Sequence, residues 1–141
     1  MTSDPISLDK INAFCQNTLA ETLGMEFTDF GDKYICGKMP VDHRTHQPMG
    51  ILHGGASVAL AETLGSVGAA LQVDIEKKTC VGLEINANHI KSVRSGFVHG
   101  RATALHVGRK TQVWEIKITD DAGALVCISR LTVAVIDSTN D

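Results

Sequence analysis

The sequence has no strong excess of charge of either sign and no long apolar run. Its formal net charge is −3 over 141 residues, which is too mild for a surface that binds nucleic acid. No run approaches the roughly 18 apolar residues that a membrane-spanning helix needs. The first residues, MTSDPISLDK, lack the apolar stretch of a secretory signal. These absences predict a soluble, cytoplasmic protein that binds neither nucleic acid nor membranes.

The cysteines lack the spacing of a metal site or of a redox motif. Four occur, Cys15, Cys36, Cys80 and Cys127, and free thiols in a reducing compartment are the simplest interpretation. Internal repeats and low-complexity tracts are missing too. What is present is enough apolar material, 43% hydrophobic residues, for a packed core. The length suits one domain over residues 1–141.

Hydrophobic periodicity predicts two helices and a series of strands. Residues 7–24 follow the helical period, with Ser7 as a cap and Gly24 as a stop. A second helix runs from about Gly54 to Leu71 and is apolar on nearly all sides, so it should be buried. A short strand, DKYICGKMPV, and a loop, DHRTHQPMGIL, precede this helix. Four strand-like runs follow it: CVGLEINANHI, GFVHGRATALHV, TQVWEIKIT and ALVCISRLTVAVI.

The runs after the second helix predict an antiparallel meander, because HVGRKTQV and TDDAGALV have the composition of hairpin turns. A sheet of about five strands wrapped round a long central helix is the economical arrangement, which places the protein in the α+β class. The edges of so small a sheet are often covered by pairing with another chain.

Two segments, MPVDHRTHQPMGILHGGASVALAETLGS and VGLEINANHIKSVRSG, resemble the hot-dog-fold acyl-CoA thioesterases. The similarity runs from about Leu8 to Ile136 and is to the small bacterial enzymes of the phenylacetate and menaquinone/enterobactin type. It is nearest to the subgroup that hydrolyses 1,4-dihydroxy-2-naphthoyl-CoA, and nearly as near to the paralogous subgroup that clears misloaded aryl carrier proteins. The resemblance implies a hot-dog fold and hydrolysis of an acyl-CoA, with an aromatic acyl group and without a cofactor.

One carboxylate, Glu62, stands in the middle of the otherwise uncharged central helix. Thioester cleavage needs an oxygen nucleophile, either a carboxylate or a water that a carboxylate activates, and Glu62 supplies it. It also needs donors for the developing oxyanion, and the backbone N–H of Gly54 is one at the helix N-terminus. The resemblance implies that Gln47 and His53 orient the thioester. Ser66, one turn beyond Glu62 on the same face, is implied to help place the attacking group.

His53 and Glu62 are nine residues apart, which along a helix means a rise of roughly 13 Å and nearly opposite directions. They cannot both reach one carbonyl group from the same helix. If both act, each active site takes His53 from one chain and Glu62 from another, as a two-fold dimer allows. The resemblance implies the same sharing, in a homodimer or homotetramer.

Coenzyme A brings phosphates, which need cations nearby. The resemblance favours a segment at the end of one predicted strand as the part that faces coenzyme A, namely His89, Lys91, Ser92 and Arg94. Arg109 and Lys110 offer more positive charge in a turn, although an ordinary solvated surface explains them equally well. Scattered positions such as Met49, Val67 and Leu71 are expected in the walls of the acyl pocket.

Other interpretations compete with these. A glutamate in an apolar helix can simply face solvent at a gap. His43, His46 and His53 could suggest a metal site, but their spacing fits no standard zinc pattern, and we expect no metal. Ser57 could suggest a serine nucleophile, but GGASV is not a nucleophile elbow.

Three other functions stay open as well. A proofreading thioesterase would act on an acyl carrier protein that bears an aryl group. A hot-dog acyl dehydratase also uses a histidine and a carboxylate, usually in a different local motif. A non-catalytic acyl-CoA-binding protein tends to lack the carboxylate.

Overall fold

The computed structural model describes residues 5–139. Six strands in this part of the chain form one antiparallel sheet in the order β1-β2-β4-β5-β6-β3. The helix α3 contacts five of these strands, so the sheet wraps round it. The predicted α+β arrangement is therefore confirmed. The elements are α1 (Leu8–Phe14), α2 (Leu19–Thr22), β1 (Glu26–Gly31), β2 (Tyr34–Pro40), α3 (Gly54–Ala70), β3 (Lys78–His89), β4 (Phe97–Val107), β5 (Thr111–Asp120) and β6 (Leu125–Asp137).

Glycines in the sheet and on the central helix leave room for the side chains that pack between them. Leu64 lies over Gly37 and Gly100, where an added Cβ would come within 2.8 and 2.5 Å of the leucine methyl groups. On the helix itself, a Cβ on Gly68 would lie 2.9 Å from the ring of Trp114, which is fully buried. Small residues therefore fix how deeply α3 sits in the sheet.

The predicted helix over residues 7–24 is divided into α1 and α2. Ser7 caps α1, since its hydroxyl accepts the backbone N–H of Lys10 at 3.2 Å, and Gly24 ends α2 with φ +74°. Between the two helices Asn17 takes the left-handed conformation, φ 62°, which interrupts helical hydrogen bonding. A single continuous helix was therefore wrong, although both predicted ends hold.

Two features of the sheet differ from the prediction. β1 was not expected, because only Phe27 of its side chains is buried and no alternating pattern marks it. The meander holds for β4, β5 and β6, but β3 does not pair with β4. Instead β3 pairs with β6 at the edge of the sheet, because residues 90–96 carry the chain across the end of the sheet to β4.

The two edges of the sheet are treated differently. The β1 edge is met by α1, where the Asn12 side chain exchanges two hydrogen bonds with the backbone of Phe27, at 2.8 and 3.1 Å. The β3 edge has no strand partner among residues 5–139. Its side chains include Val81 and Leu83, which are 41% and 62% exposed. An exposed apolar edge of this kind favours pairing with another chain.

The remaining structural expectations concern thiols and membranes. All four cysteines are free, and Cys127 is buried. Within residues 5–139, no helix is both long enough and apolar enough to cross a membrane.

Gly68→Ala tests the close packing of α3. The added methyl group meets a rigid ring, so we expect a net loss of about 1–3 kcal/mol in the free energy of unfolding, after the small gain in helix propensity. The measurement is denaturant unfolding. Trp114→Phe removes the ring atoms that the methyl group would meet, so in that background Gly68→Ala should cost less than it does alone. Equal costs in both backgrounds would contradict this account of the packing.

Candidate active site

The N-terminus of α3 presents two hydrogen-bond donors to solvent. The Nδ1 atom of His53 accepts the backbone N–H of Gly55 at 2.7 Å and so caps the helix. This bond places the ring proton on Nε2, where it is available as a donor. The backbone N–H of Gly54 has no acceptor within residues 5–139. Both donors lie at the positive end of the helix dipole, which favours a developing negative charge.

His89 lies against this helix terminus. A Cβ added to Gly54 would come within 2.9 Å of the Nε2 atom of His89, so the absence of a side chain lets the imidazole approach the backbone. The end of β3 thus delivers a second histidine to the exposed first turn of α3. The sequence indicated a role for His89 in binding coenzyme A, but not its position beside Gly54.

Glu62 lies on the side of α3 that faces the edge strand β3. It is half-buried, and a Cβ on Gly82 of β3 would lie 3.3 Å from its Oε1 atom. Its carboxylate has no hydrogen-bond or ion-pair partner among residues 5–139. The backbone of β3 is irregular at the same place, since its register with β6 shifts between Gly82 and Glu84. The carboxylate of Glu62 therefore lies beside an irregular point of the edge strand.

Two loops beside the N-terminus of α3 are joined to each other by hydrogen bonds. The backbone N–H of Leu52 donates to Val93 at 2.8 Å, and the Nε2 atom of His46 lies 2.9 Å from the carbonyl of Arg94. Farther along, the Arg44 guanidinium hydrogen-bonds the carboxylate of Asp42 and holds its pKa well below the usual range. These contacts fix the loop that leads into His53.

Gln47 sits at the tip of this loop, half-buried. Its backbone N–H donates to Ile51 at 2.8 Å, and its carbonyl accepts the N–H of Gly50 at 2.9 Å. The side-chain oxygen accepts the N–H of Met49, which leaves the amide NH₂ group as a donor. The loop therefore presents Gln47 as a hydrogen-bond donor close in sequence to His53.

An apolar cavity of about 490 Å³ lies between α1 and the second half of α3. Ser66, one turn beyond Glu62, lies in its wall. Val67 and Leu71 line this cavity, whereas Met49 is outside it and 75% exposed. Sequence reasoning missed the contribution of α1, which supplies Ile11 and Phe14.

The residues predicted to face coenzyme A have different neighbours. His89 lies against Gly54, while Lys91 hydrogen-bonds the carboxylate of Asp120, which lowers the pKa of that carboxyl group. Ser92 and Arg94 are exposed.

No metal site competes with this arrangement within residues 5–139, where no group of three or more histidine, cysteine or acidic side chains could hold an ion. Ser57 is fully buried in the core side of α3, which suits a structural role.

Within one chain, the structure therefore forms two separate groups. His53, Gly54 and His89 lie at the start of α3, and Glu62 and Ser66 lie in its middle. No hydrogen bond or ion pair joins the two groups in residues 5–139.

Comparison with known proteins settles the family. The sequence profile described as Thioesterase superfamily matches residues 49–127. The chain belongs to the thioesterase superfamily. The predicted resemblance and the hot-dog fold are confirmed, and the protein is an enzyme that hydrolyses thioesters.

Relatives within this superfamily cover nearly the whole chain. A Vibrio cholerae protein named as an esterase is 58% identical over 93% of this chain and 87% of its own. The 1,4-dihydroxy-2-naphthoyl-CoA hydrolase of Escherichia coli is 49% identical over 93% of this chain and 96% of its own. A proofreading thioesterase of Cronobacter turicensis is 49% identical over 92% and 94%. A crystal structure of a Haemophilus influenzae thioesterase superimposes with a TM-score of 0.91 at 50% identity, over 95% of this chain and 93% of that one.

Proposed function

We propose that this thioesterase hydrolyses acyl-CoA with an aromatic acyl group, in a site that two copies of the chain complete together. The observation that carries the proposal is the position of Glu62, an unpaired, half-buried carboxylate beside the bare edge strand β3. Burying a charge without a partner costs stability, so a chemical role accounts for the residue better than a structural one.

Pairing of two β3 edges about a two-fold axis brings the two groups of site residues together. Within one chain, Glu62 lies against Gly82, while Gly54 lies against His89. In an antiparallel pair in which Gly82 of one chain faces the partner subunit's His89, the axis crosses the middle of β3. Glu62 then comes to the same place as the partner subunit's Gly54. Such a homodimer has two identical sites, and a homotetramer would have four.

The chemistry in this site divides between the chains. The N–H of Gly54 and the Nε2–H of His53, both from one chain, hold the carbonyl oxygen of the thioester, and the amide of Gln47 adds a donor. Glu62 of the other chain attacks the carbonyl carbon or takes a proton from a water that attacks it. If a water attacks, Glu62 returns the proton it took from that water to the sulfur as the C–S bond breaks, and the free acid and the coenzyme A thiol leave. If Glu62 itself attacks, the C–S bond breaks to give a mixed anhydride and a coenzyme A thiolate that takes a proton from solvent, and a water then hydrolyses the anhydride to release the acid and restore Glu62. Ser66 orients the attacking group.

The acyl group would occupy the apolar cavity between α1 and α3. This cavity starts at Ser66, beside the reacting carbon, and Phe14 and Ile11 offer apolar surface on its α1 side. An aromatic ring gains both burial and ring-to-ring contact with Phe14. The name of the Escherichia coli relative, which acts on a bicyclic aromatic acyl-CoA, supports the same substrate class.

The end of β3 and the segment after it would face coenzyme A. His89 lies beside the carbonyl-binding turn, close enough to meet the start of the pantetheine arm. Ser92 and Arg94 are exposed farther along. Lys91 is neutralised by its ion pair with Asp120, so within residues 5–139 Arg94 is the unpaired cation of this segment.

A second candidate is hydrolysis of an aryl group from a carrier protein. The proofreading thioesterase of Cronobacter turicensis is as similar to this chain as the coenzyme A hydrolase is, at 49% identity. The chemistry of Glu62 would be the same, and only the carrier of the thioester would differ.

Glu62→Gln is the direct test of the proposed mechanism. The amide has the same shape but neither attacks nor accepts a proton, so hydrolysis of benzoyl-CoA should fall by about a hundredfold or more. The melting temperature should not fall, because the variant replaces an unpaired, half-buried charge by a neutral amide. Release of coenzyme A is followed with a thiol-trapping reagent. Glu115→Gln, on the outer face of β5, is the matched control and should retain activity. Normal turnover in folded Glu62→Gln protein would refute the mechanism.

The substrate class is tested by comparing acyl groups and carriers on the unmodified enzyme. We expect kcat/KM for benzoyl-CoA to exceed that for palmitoyl-CoA by at least about tenfold, the scale on which an apolar pocket discriminates. A benzoyl carrier protein is the third substrate, and faster cleavage of it would favour the second candidate. Faster cleavage of palmitoyl-CoA than of benzoyl-CoA would overturn the aromatic assignment.

A further inference from the structure

The turn between β5 and β6 is built on a carboxylate, Asp120, at the end of β5. Its Oδ1 atom accepts the backbone N–H groups of Ala122 and Ala124, at 3.0 and 2.9 Å. An aspartate that bonds the backbone ahead of it in this way fixes the shape of a turn. The Oδ2 atom accepts a hydrogen bond from Lys91, which ties the turn to the stretch between β3 and β4. We define residues 90–96 as the connecting segment.

The next carboxylate, Asp121, holds the far end of the connecting segment. Its Oδ2 atom accepts the backbone N–H of Phe97 at 3.1 Å, and its Oδ1 atom accepts a hydrogen bond from Nε2 of His99 at 2.7 Å. Gly96 has φ +78°, and a Cβ there would collide with the same carboxylate, so Asp121 lies directly against the backbone. The hydrogen bond from His99, and after it the one from Phe97, holds the pKa of Asp121 below its usual range. Asp121 is therefore ionised at neutral pH and accepts both bonds.

The connecting segment in turn holds the loop that carries Gln47 and His53. The carbonyl of Gly96 accepts the N–H of Val41 at 2.8 Å, where this loop begins. Thr45, which is buried, joins the two ends of the loop. Its hydroxyl donates to the carbonyl of the residue before Val41, and its own carbonyl accepts the N–H of His53, both at 2.8 Å. A continuous series of contacts therefore runs from the turn between β5 and β6 to His53.

This loop depends on contacts with other segments for its position. Within residues 41–53, the strand pairing consists of one isolated bridge, between His46 and Leu52. The same two residues bond the carbonyls of the connecting segment, as described above. The central helix is placed by its own packing against the sheet. A shift of the connecting segment would therefore move the loop and leave Glu62 where it is.

We propose that Asp121 is a positioning residue for the donors that receive the thioester oxygen, an inference that rests on the proposed roles of Gln47 and His53. Asp121 acts through the backbone of Gly96 and Phe97 rather than by touching the substrate. Donors for a developing oxyanion work only when they are held at the right place in advance. A misplacement of about 1 Å is enough to cost about a hundredfold in rate, so a carboxylate that fixes the loop contributes to turnover.

The test compares Asp121→Ala with Asp121→Asn on benzoyl-CoA. The alanine variant loses both hydrogen bonds, and we expect kcat to fall about tenfold with KM little changed, because the displaced donors serve the transition state. The asparagine variant keeps an oxygen for the N–H of Phe97 and an NH₂ group that donates to His99. It should restore kcat to within about twofold of the unmodified enzyme. Because the Asp121 side chain is 57% exposed, both variants should fold.

Amide hydrogen exchange gives a second measurement that does not depend on turnover. In Asp121→Ala the amides of Val41 and His53 should exchange at least about threefold faster, since exchange reports local opening. The amides in the middle of α3 should keep their rates. The matched control is Asp74→Ala, which removes a turn carboxylate that accepts the N–H of Glu76 at 3.1 Å, away from this loop. It should change neither kcat nor the exchange of Val41 and His53.

Three results would overturn the inference. They are an unchanged kcat in Asp121→Ala, an equal loss in Asp121→Asn and Asp121→Ala, and unchanged exchange of Val41 and His53 in Asp121→Ala. A loss in Asp74→Ala as large as in Asp121→Ala would overturn it too, because any damaged turn would then have the same effect. In these cases the unmodified enzyme still cleaves benzoyl-CoA, so the proposed function stands. An unmodified protein that cleaves no aryl thioester would refute the proposed function and the inference with it.

Discussion

The close packing of α3 against the sheet is the constraint on which the rest of the structure depends. Glycines on both surfaces let the helix approach until Leu64 covers Gly37 and Gly100, and until Gly68 meets the ring of Trp114. A helix held at this depth has little freedom to slide or rotate. Its N-terminus and its single carboxylate are therefore placed relative to β3 by the core rather than by loops, which is how a site gains precision.

The same packing explains why the candidate site residues of one chain form two separate groups. The first turn of α3 offers unpaired donors beside His89, and the middle of the helix offers an unpaired carboxylate beside Gly82. Donors without an acceptor and a carboxylate without a partner are complementary groups. The bare, partly apolar edge of β3 gives the surface through which a second chain would bring them together. One interface would then complete the active site and also cover the exposed edge of β3.

The sequence predicted those parts of the molecule that depend on local pattern. α3 could be placed within a residue because its run of small and aliphatic residues is long, and β4, β5 and β6 alternate clearly. Ser66 could be placed beside Glu62 because helical spacing alone decides it. By contrast, β1 has only one buried side chain, so its sequence shows no alternation of apolar and polar residues. The break at Asn17 depends on a single residue taking a left-handed conformation, which hydrophobic periodicity does not reveal.

Contacts between distant segments were beyond the reach of sequence reasoning. The approach of His89 to Gly54, the pairing of Lys91 with Asp120 and the place of β3 at the sheet edge all depend on the path of residues 90–96. The wall that α1 adds to the apolar cavity was missed for the same reason. In the sequence, Ile11 and Phe14 look like the core face of any short helix. Only the fold shows that they line the same cavity as Val67.

The shared site is tested most directly by mixing two inactive chains. Glu62→Gln removes the nucleophile or base, and His53→Asn removes the imidazole while keeping an acceptor that can cap α3. In a mixed dimer one site carries both changes and the other carries neither. After random subunit exchange of equal amounts, about a quarter of all sites should therefore be intact, and hydrolysis of benzoyl-CoA should recover to about that fraction. Failure to recover activity, with exchange confirmed by differently tagged chains, would show that His53 and Glu62 do not act together across the two-fold axis.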